Sequence, residues 1–174
     1  MQLKQFLLLL LCAACCSAPL YAQEGPASTE AEFEKQYQER IKKDKLGNMY
    51  IPKNLDDATL QLDKLISEES KLKIKAIPED SVCQQMHNRL GQWMILNWGF
   101  YGGSRISHYL RSAGITFPDD QADFLLLAFH RKLNGKPYNI KELATNFRQK
   151  RKEEWEKEQK SRKIIHEEVK KKNR

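Results

Sequence analysis

Apolar positions recur at helical spacing along nearly the whole chain. Phe33, Tyr37 and Ile41 repeat every four residues in a charged background, which predicts a helix over 29–45 with one narrow stripe. Leu46-Gly47-Asn48 predicts its end, Gly47 serving as a left-handed cap. Asn54 or Asp56 can cap a second helix whose buried face is Ala58, Leu62, Leu65 and Ile66. Pro78-Glu79-Asp80 opens a longer one, with carboxylates in the first turn and Val82, Met86, Leu90, Trp93, Met94 and Asn97 at spacings of three and four. Ser104 caps a short helix carrying Ile106, Tyr109 and Leu110, ending at Gly114. Pro118-Asp119-Asp120 starts another, with Ala122, Leu125, Leu126, Phe129 and Leu133 inward and Gly135 as terminator. No segment alternates, so no strand is expected. The fold class predicted is all-α: a small domain of four to five helices over 49–138, with a long charged C-terminal helix.

That last helix is expected from Ile140, capped by Asn139, nearly to the C-terminus. Leu143 and Phe147, with Trp155, dock its first turns. Beyond Trp155 the apolar face fades and charge pairs take over: Glu153–Lys157, Glu156–Lys160, Glu158–Arg162, Glu167–Lys171 and Glu168–Lys172. Each pair contributes about 0.2–0.5 kcal/mol, which supports a solvated helix without a core. Ile164, Ile165 and Val169 could seed a coiled-coil-like partner contact, although a heptad seam is absent.

The N-terminus breaks the helical pattern. Lys4, the apolar run Phe6 to Leu11 and the small Ala22 form a secretory signal over 1–22, with cleavage expected between Ala22 and Gln23. The run is too short to span a membrane, and no later segment approaches the length needed. Lipidation at Cys15 is the lesser alternative, because Cys12 stands where a lipobox prefers leucine. Residues 23–48 form a linker and the striped helix. Cys83 is the lone cysteine after the signal, so packing rather than a disulfide must hold an exported domain. The net charge of +7 is uneven: from Lys141 to Arg174 thirteen Lys/Arg face seven Asp/Glu, and the rest is nearly neutral. This 139–174 extension could touch an anionic surface or an acidic protein, while export weighs against nucleic acid.

The densest chemistry lies in Asn97-Trp98-Gly99-Phe100-Tyr101-Gly102-Gly103-Ser104-Arg105. One reading is a ligand loop: Trp98 and Tyr101 expose aromatic faces, Gly102 and Gly103 admit close approach, and Ser104 and Arg105 bind a carboxylate or phosphate at a helix start. His87 flanks this candidate site. The other reading is a tight helix–helix corner whose aromatics fill the core. The glycines match no P-loop or dinucleotide fingerprint. His87, His108 and His130 could join Asp119 or Asp120 in an acid–base site, but no pair has helical zinc spacing. No catalytic residue, metal or cofactor is therefore assigned.

These residues also form a pattern: Ile51-Pro52-Lys53-Asn54-Leu55-Asp56-Asp57-Ala58, then His87, Leu90-Gly91, Trp93, Asn97-Trp98-Gly99, Gly102-Gly103-Ser104-Arg105, Tyr109, Gly114-Ile115, Pro118-Asp119-Asp120 and Leu133-Asn134-Gly135. It resembles an uncharacterised exported domain family common in Bacteroidota, over roughly Tyr50 to Tyr138. The resemblance implies a bacterial envelope setting and no activity. The expectation is an exported cell-envelope protein acting as a non-enzymatic binding or interaction module, for a peptide, a glycan-like ligand or an envelope protein. The alternatives are a hydrolase-like enzyme using His/Asp residues near the corner, and a structural spacer.

Overall fold

The computed structural model describes residues 27–172, with side chains described through Arg162. The expected signal and linker up to Pro26, including Cys12, Cys15 and Cys16, lie outside the described residues. So do the side chains of Ile164, Ile165, Glu167, Glu168, Val169, Lys171 and Lys172.

The described chain is helical apart from one small hairpin. Helix α1 spans Glu30–Arg40. Strands β1 (Lys45–Leu46) and β2 (Met49–Tyr50) pair antiparallel, in the register Lys45 with Tyr50 and Leu46 with Met49. This corrects the expectation that no strand forms, within a chain that is otherwise all-α. Gly47, at φ 58°, is the first central residue of the hairpin turn and not a helix cap. α1 stops earlier, at Arg40.

Helix α2 (Leu55–Leu65) begins where the Asn54 side chain accepts the Asp57 N–H, as its cap position predicts. It buries Leu55, Ala58, Thr59 and Leu62. Leu65, expected inward, is the last residue of α2 and 57% exposed; a further helix, α3 (Glu68–Lys75), follows, capped by Ser67. The long helix expected after Pro78 is segmented. A 3₁₀ turn (Glu79–Ser81) leads into α4 (Val82–Met86), a π-helical turn (His87–Gly91) and α5 (Gln92–Asn97). Helices α6 (Arg105–Ser112) and α7 (Pro118–Leu133) follow, α6 capped by Ser104 and α7 opened by Pro118.

Helix α7 is the axis of the domain, touching the π turn and each helix from α2 to α8. Ala122, Phe124, Leu125, Leu126, Ala128 and Phe129 are all buried on it. Burying the large ones, Phe124, Leu125, Leu126 and Phe129, contributes on the order of 1.5–3 kcal/mol each. Polar ties set its ends. Glu79 accepts from Arg131 at 2.7 Å and from Lys136 at 2.9 Å, and these two cations, Lys136 foremost, hold its carboxyl below the usual range.

Helix α8 spans Ile140–Lys172. Asn139 precedes it in a left-handed conformation (φ 51°), and its amide donates to Glu142 instead of capping the backbone by accepting. Leu143, Ala144 and Phe147 dock α8 on the domain. Arg151 adds a two-pronged bond to the buried Asp120, Nε to Oδ2 at 2.6 Å and Nη2 to Oδ1 at 2.9 Å. From Lys152 to Arg162 no side chain is buried. Trp155, expected to dock, is 61% exposed. Of the anticipated charge pairs on this stretch, Glu158–Arg162 forms at 2.7 Å.

Candidate functional site

The glycine–aromatic corner joins α5 to α6. Trp98 closes α5 with its N–H on the Met94 carbonyl. Gly99 (φ 65°) turns the chain back so that the Phe100 N–H reaches Ile95. Trp98 and Phe100 are fully buried, and Trp98 meets the edge of Trp93 at 5.8 Å between ring centroids. Only Tyr101, 64% exposed, stands out in solvent. Gly103 and Ser104 are buried, Ser104 because its hydroxyl accepts the Ser107 N–H.

Arg105 faces inward. Its Nε donates to the Ile51 carbonyl at 2.5 Å, and its guanidinium lies 5.0 Å from the centre of the Tyr50 ring. Tyr50 donates its hydroxyl to Asp57 at 2.8 Å, and Asp57 also accepts the Lys53 N–H at 2.9 Å. Burial works against the Asp57 charge. Bonds from Lys53, Tyr50 and Gln61, with the Arg105 charge, nevertheless hold its carboxyl below the usual range. Arg105 therefore clamps the chain entering the domain, and Trp98 has no open face. The structure brings Gly102, Gly103, Ser104 and Arg105 together with Trp98 at one corner, while His87 lies apart in the π turn.

What the sequence did not indicate is the occupant of the corner. Tyr37 and Arg40, from the second half of α1, lie on its glycines. Arg40 Nε donates to the Gly103 carbonyl at 3.0 Å. The Tyr37 hydroxyl meets His108 Nδ1 at 2.8 Å, and the Arg111 guanidinium lies 5.7 Å from the Tyr37 ring centre. A Cβ on Gly103 would fall 2.2 Å from the Tyr37 ring, and one on Gly102 3.0 Å from the Arg40 guanidinium. The stripe of Tyr37 was legible, but nothing in the one-dimensional pattern shows which surface it meets.

The described histidines, His87, His108 and His130, do not converge on one centre. His130 is buried, with Nε2 at 2.8 Å from the Ile77 carbonyl. His108 meets Tyr37. His87 lies between two carboxylates, Nδ1 at 2.7 Å from Asp123 and Nε2 at 3.6 Å from Asp119, with Gln92 at 3.4 Å from Nε2. Asp119 and Asp123 are four residues apart on α7 and so share a face; that spacing could have revealed Asp123. The Asp123 contact can hold a proton on Nδ1 and leave Nε2 as a base. Cys83, one turn before His87, donates its thiol weakly to the Asp123 carbonyl at 3.6 Å. Burial, aided by the Asp123 charge, pushes that thiol up to about 12, so it is no nucleophile near neutrality. Among the described residues, no group of three His, Cys, Asp or Glu side chains could hold a metal ion.

Fold and corner together define a small all-α domain with its own N-terminal helix docked on a glycine corner. Residues 51–133 match the model of a family described as a domain of unknown function, DUF6794. The matched stretch runs from Ile51, whose carbonyl Arg105 grips, to Leu133 at the end of α7. It leaves out α1, the hairpin and α8. No curated protein and no solved structure matches the chain. None of the described helices is long and apolar enough to cross a membrane.

Proposed function

We propose that the protein is an exported, non-enzymatic interaction module of the cell envelope, in which the domain is a rigid base and α8 carries the contact. The observation that supports this reading is the solvation of α8. After Arg151 the helix continues to Lys172, and over 152–162 it buries nothing against its own domain. A helix so exposed gains no stability from a core. Its sequence beyond Arg162 adds five Lys/Arg against two Glu, which suits an anionic surface. The N-terminal signal pattern supports the envelope setting.

Ending the chain after Lys152 tests the assignment. The thermal midpoint should stay within about 2 °C of the full chain, because no core contact is removed. Sedimentation with vesicles rich in phosphatidylglycerol should be lost, and in the full chain it should weaken with salt. A midpoint lowered by more than about 5 °C would make α8 a structural part of the domain. Equal sedimentation of both chains would place the contact elsewhere.

The His87–Asp123 pair supports a second reading, a hydrolase using His87 Nε2 as base toward water. The His87→Ala chain should then lose any ester or amide hydrolysis by about 10²-fold or more. Equal rates from both chains would remove that reading.

A further inference from the structure

The corner and its occupant differ in kind. Gly102, Gly103, His108 and Arg111 belong to the stretch the family model covers, whereas α1 lies outside it. Gly103 has a backbone reason to be glycine, at φ 78°. Gly102 has none, since its φ is not positive, and the nearest atoms a Cβ there would meet all belong to Arg40. The corner is thus shaped around a guanidinium and a phenol ring one turn apart on a helix. His108 supplies a ring nitrogen to the phenol, Arg111 a cation near its ring, and Gly103 a carbonyl to the guanidinium. The occupant sits at the surface: α1 buries none of its residues fully, and Tyr37 and Arg40 are half-buried. Segments with few buried contacts open at low cost.

We propose that this corner is a docking site for a helical segment of a partner protein that presents tyrosine and arginine three residues apart, and that α1 fills it in cis until such a segment displaces it. The site is independent of the contact assigned to α8. The ligand class follows from the occupant itself: a phenol between a histidine and an arginine, and a guanidinium on a carbonyl over a glycine floor. Tyrosine and arginine are enriched among the residues that dominate binding at protein interfaces, and a helix presents anchors three residues apart on one face.

The test uses the whole chain and a fluorescent peptide of residues 29–44 as the probe. Tyr37→Ala with Arg40→Ala in the chain unlatches α1 and exposes the corner. This variant should bind the probe at least tenfold more tightly than the natural chain does. A probe carrying the same two alanines should bind at least tenfold more weakly, as should the unlatched chain with Gly102→Ala. Equal binding by both chains, or by both probes, overturns the proposal. So does a concentration-dependent dimer of the natural chain built on exchanged α1 helices, which would make a second copy the occupant. If the unlatched variant no longer melts cooperatively, hydrogen exchange of the natural chain decides. Amides of 34–41 exchanging at least a hundredfold faster than those of α7 support the proposal, and exchange only through global unfolding overturns it.

Discussion

Replacing Trp98 with alanine is expected to lower the folding stability by about 3–5 kcal/mol, the range for deleting a fully buried large aromatic. The side chain is wholly enclosed and packs edge-on against Trp93. It also closes α5 directly before Gly99, so the void would open where the chain reverses. Urea unfolding followed by circular dichroism reads the loss. Tyr101→Ala, three residues on and 64% exposed, should change stability by less than about 0.5 kcal/mol. The pair of variants separates the scaffold of the corner from its surface. A small effect of Trp98→Ala would show that the corner is open in solution.

The second large effect is asymmetric. Asp120 is 7% exposed and accepts both prongs of Arg151, whose guanidinium also lies 4.5 Å from the centre of the Phe117 ring. Arg151→Ala leaves a buried carboxylate without its cation and strips the cover from Phe117. The expected loss is about 2–3 kcal/mol, below the roughly 3–5 kcal/mol of a fully buried pair, because the Arg151 side chain is one third open to water. Asp120→Ala leaves Arg151 free to swing into solvent, and about 1 kcal/mol is expected. Thermal or urea unfolding of both single variants and the double variant measures the difference. Equal single losses would mean that Asp120 is better solvated than its burial indicates.

The helical class, the terminators Gly114 and Gly135 and the Asn54, Ser104 and Pro118 starts were legible because each depends on local chemistry. Two kinds of feature were not. Strand pairing at Lys45–Tyr50 involves segments of two residues, too short to alternate, and Gly47 looks the same as a helix cap or a hairpin turn. Tertiary partners were also hidden. Trp98 could have been a platform or a core residue, and Arg105 a ligand clamp or an internal tie, until the burial of the first and the Ile51 carbonyl beside the second were known. Trp155 failed in the opposite direction. At helical spacing from Phe147 it looks like a docking residue, but the domain surface has ended by then. The partner of His87 was hidden for the same reason, because Asp123 reaches it only through the packing of α7 on the π turn.

The π turn at His87–Gly91 also sets an angular phase. In an uninterrupted α-helix, at about 100° per residue, Val82 and Met94 would point about 120° apart. One residue absorbed in a widened turn subtracts about 100°, which brings the two within about 20° of each other. Both are fully buried. Deleting one residue between 87 and 91 would therefore let an ordinary α-turn replace the wide one and leave that phase unchanged. Winding all the same residues as plain α-helix would instead rotate α5, and the corner that follows it, by about 100° away from the rest of the domain, so the turn holding His87 acts as the gear tooth that keeps the two halves in step.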